Sequence, residues 1–428
     1  MHKAKPRVLL ITYYFRPSIE MGALRPTRFY KYLKQMGYAV HVITATPQGS
    51  DCPADIQVIP DELEARWEKG EKKGRDSLGA YVELLIRQFM FPGHLGMLWA
   101  FKAAALCRQI QREHPNDRFA LLVTYPPLGT LLVGLLAGRQ ETLPWIADFR
   151  DPIAGLIFPG EKRYVKFWAR LLEKNVFQRA SAIIANVESA AAVWRERYPW
   201  VQPKLHVIYN GFDPEESPRP RPIPPRDHKL IVHAGTIYQG RSTDAVLHSL
   251  ARLRAKRVQE ALSAKVLLLG VVDGDPAVNW ALCHEAQQDG RLELCPPPSW
   301  DEWDRVVGEA DALLLAAHPQ NRMQVPGKLY AYISIGRPLL ALLPRLSPVE
   351  PILQNAGVPY VRIYEDDPPE VVDDKVLEFL RLPNNASPIN AWFRANFDAR
   401  RQTERVAEII DSISHSPVRK NAEIESCA

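Results

Sequence analysis

Two glycine-bearing segments in the second half of the chain each carry a positive side chain close to a predicted strand or helix end. Residues 233–241 (HAGTIYQGR) contain Gly235 and end in Arg241, and residues 326–338 (PGKLYAYISIGRP) place Lys328 in the first turn of a predicted helix. Glycine lets the backbone approach a ligand closely, and arginine and lysine bind phosphate oxygens. A lysine at the positive end of a helix dipole is unfavourable unless an anion lies nearby, so its position here indicates an anionic ligand. We predict a phosphate site here, although a glycine loop that only turns the chain remains open.

A weaker signal of the same kind follows the first apolar run. In YYFRPSIEMGALRPTR (residues 13–28), Gly22 precedes a predicted helix whose first turns carry Arg25 and Arg28. A strand-to-helix turn with glycine directs backbone N–H groups and the helix dipole toward an anionic ligand. The alternative is an ordinary turn with solvent-facing arginines.

Charged residues also cluster after a later strand. The sequence WIADFRDP contains Asp148, Arg150 and Asp151, and Tyr125 begins a proline-rich turn after the preceding strand. Carboxyl ends of strands are the usual ligand edge of an open α/β sheet. The carboxylates could bind a hydroxyl group, stabilise charge or transfer a proton, and an internal salt bridge is the alternative.

These candidates depend on a repeated strand and helix pattern. Apolar runs of strand length alternate with helix-length segments through most of the chain, and the first 45 residues form one β-α-β unit. Near-continuous apolar strands indicate sheets that are buried on both faces. The predicted fold class is α/β, with two Rossmann-like, doubly wound domains facing across a cleft. Predicted strands are 7–12, 39–44, 119–124, 144–149, 181–186, 205–209, 229–233, 265–269, 292–295, 312–316 and 338–342.

The prolines of residues 214–227 (PEESPRPRPIPPRD) disfavour both helix and central strand, so the domain boundary is predicted near this segment. We assign 1–207 to the first domain and 208–387 to the second. One long amphipathic helix within 388–414 is predicted to pack back on the first domain, followed by a flexible tail, 415–428.

Composition excludes several classes of protein. With 46% hydrophobic and 24% charged residues, the 428-residue chain is typical of a globular protein, and no apolar stretch reaches 18 residues. The five cysteines lack metal-ligand spacing, so we expect no metal site and a cytoplasmic location.

Residues 1–200 carry a net charge of +9 and residues 201–428 a net charge of −4. The basic half suggests attachment to an anionic membrane surface, especially where Arg87, Lys102 and Arg108 flank FMFPGHLGMLWAF, whereas no motif indicates nucleic-acid binding.

Taken together, the motifs resemble those of retaining glycosyltransferases of family 4, especially the branch active on cell-surface polysaccharides. The resemblance covers nearly the whole chain. It rests on FRPSIEMGALRPTRFYKYLKQMGYAVHVIT, WIADFRDP, VIYNGFD, HAGTIYQGR, WDEWDRVVGEADALLL and PGKLYAYISIGRPLLAL, in that order.

The resemblance implies a GT-B fold whose second domain holds a nucleotide-diphosphate sugar and whose first domain holds a glycan or lipid-linked acceptor. By position, Arg241 and Lys328 bind the diphosphate and Gly22 approaches it, without a cofactor or metal. The implied donor-binding residues are Gly22, Gly235, Arg241, Pro326, Gly327, Lys328 and Leu329. The implied acceptor-binding residues are Arg25, Arg28, Tyr125 and Asp148, and the implied catalytic residues are Asp151, Arg150, Arg241 and Lys328.

Two departures from the family pattern leave other functions open. The positions of a glutamate pair typical of the family hold Met323 and Ala331, and Val246 replaces a second cation beyond Arg241. The alternatives to an active transferase are a binding or assembly subunit that has lost turnover, and a nucleotide-sugar epimerase.

Overall fold

A computed structural model describes most of the chain. The described residues are 5–18, 20–49, 52–61, 96–139, 141–154, 163–237, 241–271, 278–317 and 322–414. Arg87, residues 89–95 of the apolar stretch and the predicted tail 415–428 lie outside them. The chain divides into two compact units, Met1–Asn210 with Ala399–Ala428, and Gly211–Asp398. We call these the first and second units.

The first unit contains a parallel sheet. Its described strands lie in the order β3-β2-β1-β4-β5-β6-β7. Since the order reverses between β1 and β4, the sheet is doubly wound. The strands are β1 (Arg7–Ile11), β2 (Val40–Thr44), β3 (Ile56–Val58), β4 (Phe119–Tyr125), β5 (Trp145–Phe149), β6 (Ala182–Ala185) and β7 (Leu205–Val207).

Helices cover both faces of this sheet. Two described helices, α1 and the C-terminal α14, pack against each other and share one core with the sheet, while α2 to α5 contribute to the core on the opposite face. The helices are α1 (Leu24–Gln35), α2 (Met97–Glu113), α3 (Leu128–Ala137), α4 (Arg163–Arg179), α5 (Glu188–Arg197) and α14 (Ala399–Ser414).

The second unit repeats this architecture. Its described strands lie in the parallel order β10-β9-β8-β11-β12-β13, with the reversal between β8 and β11. The strands are β8 (Lys229–Ala234), β9 (Ala264–Leu269), β10 (Leu292–Cys295), β11 (Ala312–Ala316), β12 (Leu339–Leu343) and β13 (Tyr360–Tyr364). The helices are α6 (Asp244–Ala255), α7 (Gln259–Leu262), α8 (Trp280–Gln288), α9 (Trp300–Gly308), α10 (Lys328–Ile335), α11 (Val349–Ala356), α12 (Pro369–Leu380) and α13 (Ala391–Phe397).

The predicted α/β fold class with two doubly wound parallel sheets is confirmed, and all eleven predicted strands overlap observed ones. Two strands were not predicted. β3 is a three-residue edge strand whose residues are only partly buried. β13 is also at an edge and alternates between partly and fully buried residues. Neither has the continuous apolar run that identified the central strands.

The prediction of a single C-terminal helix is wrong. α13 ends at Phe397 and α14 begins at Ala399, because Asp398 has an extended backbone (φ −66°, ψ 125°). The two helices also belong to different units.

The structural division lies between Asn210 and Gly211, three residues after the assigned boundary at 207/208, and the proline-rich segment follows it. Although it contains no helix or strand, its backbone is held within the second unit. The Arg221 N–H donates to the Gly308 carbonyl at 2.9 Å, and the Arg221 carbonyl accepts from Arg337 Nη2 at 2.6 Å. The segment is therefore part of the second unit's surface.

A buried salt bridge ties α1 to the first sheet. The Arg25 guanidinium donates to both carboxylate oxygens of Asp148, with the shortest distance 2.7 Å from Nη2. It also donates to the carbonyls of Ile208 (2.9 Å) and Tyr209 (2.7 Å), which follow β7. Arg25 is 6% exposed and Asp148 is fully buried. One side chain thus joins a helix, a central strand and the end of the sheet.

Asp148→Asn should destabilise the first unit by about 3 kcal/mol, because removing one charge of a buried pair leaves the other without compensation. The matched control is Asp117→Asn, whose partner Arg7 forms a more exposed salt bridge, and it should cost less than about 1 kcal/mol. Urea unfolding measures both changes. Equal losses in the two variants would contradict a structural role for the Arg25–Asp148 pair.

Candidate active site

The second unit gathers its predicted phosphate ligands at the point where the strand order reverses. His233 and Ala234 end β8, and Gly235 follows directly. The next helix along the chain from the adjacent strand β11 is α10, which begins at Lys328. In open α/β sheets, such a switch point leaves a crevice at the carboxyl ends of the strands. The structure therefore brings the two glycine-bearing segments together.

Lys328 contacts the end of β8 through a buried histidine. Its Nζ lies 3.4 Å from His233 Nε2, and His233 Nδ1 lies 2.9 Å from the Leu314 carbonyl. His233 is 1% exposed. Because a carbonyl can only accept, Nδ1 carries the proton and Nε2 is the acceptor for the lysine amine. His233 therefore fixes the position of the amine.

Gly235 leaves the space that the lysine amine occupies. A Cβ at this position would lie 2.5 Å from Lys328 Nζ, and the glycine has φ +133°, which L-residues rarely adopt. Behind it, Gly270 (φ +111°) would place a Cβ 3.2 Å from the Gly235 carbonyl carbon. The consecutive strands β8 and β9 are thus each followed directly by a glycine, and the backbones of Gly235 and Gly270 lie close together.

The electrostatics favour an anion at this position. Burial, and secondarily the Arg241 guanidinium, lower the pKa of Lys328 to about 7. Burial, followed by the charge of Lys328, lowers the pKa of His233 well below its usual value, so the imidazole is neutral. A bound phosphate would compensate the repulsion between Lys328 and Arg241 and restore the full charge of the lysine.

The start of α10 exposes Gly327, its N-cap residue. The Leu329 N–H is already used, because it donates to the Pro326 carbonyl at 3.0 Å. The Leu329 side chain is fully buried in the core, so this residue does not suit a ligand contact. Of the predicted donor residues in this unit, Gly235, Arg241, Gly327 and Lys328 are the ones whose position suits a phosphate contact.

In the first unit, three predicted residues meet at the carboxyl edge of β4 and β5. The Arg150 backbone N–H donates to the Tyr125 carbonyl at 2.9 Å, and Arg150 Nη2 donates to the Pro126 carbonyl. Its guanidinium also lies directly against Gly22, where a Cβ would overlap Nη1. Burial lowers the pKa of Arg150. Arg150 therefore braces the Gly22 loop against the Tyr125 turn.

The remaining predicted acceptor residues have different surroundings. Arg25 and Asp148 form the buried salt bridge described above, which favours the scaffold alternative for this pair. Arg28, one turn later on α1, and Asp151, directly after Arg150, are both partly exposed. Asp151 is thus the carboxylate of the Asp148–Arg150–Asp151 group that a ligand can reach.

Three contributing residues were missed as site residues. His233, at the end of β8, is buried and contacts Lys328. The hydroxyl of Tyr332, one turn after Lys328, accepts from the Ala234 N–H at 2.8 Å and so holds the end of β8. Asn186 donates to the Arg150 carbonyl. Since these contacts join distant segments, only the spacing of Tyr332 from Lys328 was visible in the sequence.

Within the described residues, no group of three or more His, Cys, Asp or Glu side chains is placed to hold a metal ion. Nor does any helix in this part of the chain have the length and apolar character needed to cross a membrane.

Comparison with protein families gives a match within the first half of the chain. Residues 27–216 match the model of Glycosyltransferase Family 4. The resemblance predicted from the motifs is therefore confirmed over these residues. A search of curated protein sequences finds no match.

Solved structures with the same fold match nearly the whole chain. Sucrose-phosphate synthase from Thermosynechococcus elongatus is 13% identical with a TM-score of 0.58, covering 96% of each chain. HepE from Anabaena, solved in complex with UDP-glucose, is 12% identical with a TM-score of 0.57, covering 95% of this chain and 100% of HepE. The N-terminal domain of trehalose-6-phosphate phosphatase from Candida albicans is 12% identical with a TM-score of 0.62, covering 97% and 98%. At these identities the similarity establishes the fold.

Gly235→Ala should weaken binding of inorganic pyrophosphate at least about tenfold, because the new methyl group displaces the Lys328 amine and the backbone is strained. Gly290→Ala in the same unit is the matched control: it has φ +75° and nothing within 4 Å of the added Cβ. It should lower stability without changing affinity. Isothermal titration calorimetry measures both, and unchanged affinity in Gly235→Ala would show that the anion does not bind beside Lys328.

Proposed function

Since this chain has a family 4 glycosyltransferase segment and a GT-B fold, we propose that it is a retaining glycosyltransferase. It transfers a sugar, of hexose type, from a nucleotide-diphosphate donor to a glycan or lipid-linked acceptor in polysaccharide or glycoconjugate synthesis. The observation that carries this proposal is the cluster of Lys328, His233, Gly235 and Arg241 at the switch point of the second unit.

The donor diphosphate binds this cluster. Glycosyl transfer proceeds through an oxocarbenium-like transition state in which negative charge builds up on the departing diphosphate. Cations held in place before the reaction stabilise that charge without reorganising. Lys328 and Arg241 supply the positive charge, so the assignment needs neither a bound metal nor a cofactor. UDP-sugars are the first donors to test, because HepE was solved with UDP-glucose.

The first unit binds the acceptor. Arg150 holds the Gly22 loop and the Tyr125 turn in place, and Asp151 orients the acceptor hydroxyl or accepts its proton. Arg28 contributes a further cation at this edge. For a lipid-linked acceptor, the enzyme attaches peripherally to the cytoplasmic face of a membrane.

Donor turnover with and without acceptor tests this proposal. Transfer that depends on acceptor supports it, whereas donor hydrolysis or isomerisation alone points to an epimerase-like enzyme. Binding of UDP without any turnover points to a binding or assembly subunit, for which the replacement of two family glutamates by Met323 and Ala331 is the favouring observation.

UDP affinity should depend on pH through Lys328. The pKa of its amine is about 7 in the free protein and is raised by the bound diphosphate. Binding therefore takes up a proton above pH 7, and the association constant falls by up to about tenfold per pH unit there. Below pH 7 the lysine is charged in both states and contributes no pH dependence. The UDP β-phosphate, with a second pKa of about 6, is ionised throughout the upper range.

Calorimetry of two variants separates the roles of the cations. Lys328→Ala and Arg241→Ala should each weaken UDP or GDP binding by ~1.5 to 3 kcal/mol. Only Lys328→Ala should abolish the decline above pH 7. In Arg241→Ala the decline should move to higher pH, because a neighbouring positive charge has been removed. A decline that persists unchanged in Lys328→Ala would assign the titration to another group.

Asp151→Asn should reduce transfer at least ~100-fold while donor affinity changes by less than about threefold, because the carboxylate acts on the acceptor hydroxyl. Steady-state kinetics and UDP titration measure the two effects, and the melting temperature is recorded alongside. A variant that melts lower but turns over almost normally when folded would make Asp151 part of the scaffold instead.

A further inference from the structure

The outer surface of the first unit's helix layer exposes large apolar side chains. α3 packs against both α2 and α4, so the three helices are neighbours. On α2, Leu98 and Phe101 are exposed, Phe101 by 58%. On α4, Phe167, Trp168 and Leu171 are exposed, Phe167 by 61%. We call the exposed side of these three helices the α2–α4 face.

The helix in the middle of this face contains no charged residue. α3 has the sequence LGTLLVGLLA, and its Leu132, Leu135 and Leu136 are only partly buried. Apolar surface thus continues between the exposed residues of α2 and α4. Contiguous exposed apolar surface marks an interaction site more often than scattered single residues do.

The exposed charges of α4 are all positive. α4 exposes five cations among its 17 residues: Arg163, Lys166, Arg170, Lys174 and Arg179. Its single carboxylate, Glu173, is fully buried and accepts hydrogen bonds from Arg197 Nη1 (2.8 Å), the Ala154 N–H (3.1 Å) and Trp194 Nε1 (3.2 Å). α4 therefore presents positive and apolar groups, and no exposed acid, to its surroundings.

The face begins at the edge of the sheet that carries the acceptor residues. Helices that follow or precede parallel strands run opposite to them, so the amino ends of α2 and α4 lie at the carboxyl edge of the first sheet. Leu98 and Phe101 lie in the first two turns of α2, and Phe167 and Trp168 in the first two turns of α4. Arg150 and Gly22 lie at the same edge.

We infer that the α2–α4 face docks on an anionic lipid bilayer. Aromatic and leucine side chains enter the boundary between headgroups and acyl chains, while lysines and arginines attract anionic headgroups. A partner surface that is both apolar and negatively charged complements the exposed apolar side chains of this face and the cations of α4. This inference rests on the proposed function, because it brings the acceptor residues of the first unit to the membrane where a lipid-linked acceptor is held.

Co-sedimentation with vesicles tests the inference on the full-length chain. The probes are phosphatidylcholine vesicles with and without about 30 mol% phosphatidylglycerol, at low and at physiological salt, where the Debye length is ~8 Å. The apolar variant is Phe167→Ser with Leu171→Ser, and the charge variant is Arg170→Gln with Lys174→Gln. Trp300→Ser and Arg394→Gln, at exposed positions of the second unit, are the matched controls.

The wild-type chain should bind the anionic vesicles, and binding should weaken as salt rises. The partition coefficient should fall at least about tenfold in the apolar variant and about fivefold for each cation removed in the charge variant. UDP affinity and melting temperature should not change in any of these variants, and both controls should bind like wild type.

Absence of binding to anionic vesicles at low salt overturns the inference, as do face variants that bind like the controls. Self-association of the wild type that the face variants abolish, without vesicle binding, assigns the face to a second copy and also overturns it. UDP binding and turnover are measured separately, so vesicle binding by a chain that binds no UDP supports the inference while the proposed function fails. Acceptor-dependent transfer by a chain that does not bind vesicles supports the proposed function and overturns the inference about the α2–α4 face.

Discussion

Parallel strand pairing is the constraint on which this structure depends. Each described pair of neighbouring strands in both sheets is parallel, so each return connection crosses a face of the sheet. All strands then end at the same edge, and the polar loops collect there. The reversals between β1 and β4 and between β8 and β11 open a crevice at this edge in each unit. The Arg150–Gly22 contact and the Lys328–Gly235 contact follow from this topology.

In the second unit, charge is concentrated where folding alone would not favour it. Burial lowers the pKa of Lys328, and the nearby Arg241 lowers it further. At the two positions where the family resemblance implies glutamates, this chain has Met323, which is buried, and Ala331. The neutral His233 positions the lysine without compensating its charge. A bound anion would relieve the repulsion between Lys328 and Arg241, so the electrostatics of this site favour an anionic ligand.

In the first unit, by contrast, buried charges are paired and act as scaffold. The Arg25–Asp148 bridge joins α1 to β5, and the Arg197–Glu173 bridge joins α5 to α4. Arg197 and Glu173 also hydrogen-bond to the backbone of Ala154, which follows β5. Such pairs are expensive to break, because a single buried charge remains. They keep the loops that carry Arg150 and Asp151 in place. Precise placement of an acceptor depends on this kind of support.

The sequence by itself determined the fold class and indicated segments that the structure brings together. Buried parallel strands require long apolar runs, and glycines and cations at strand ends are distinctive residue types, so both can be recognised within short segments of sequence. Edge strands β3 and β13 lack that pattern, and the break at Asp398 leaves the helical periodicity on either side almost unchanged. The tertiary structure alone decided that Asp148 pairs with Arg25 while Asp151 remains accessible, and that His233 meets Lys328. These outcomes depend on contacts between residues as many as 123 positions apart, which spacing along a single chain cannot reveal.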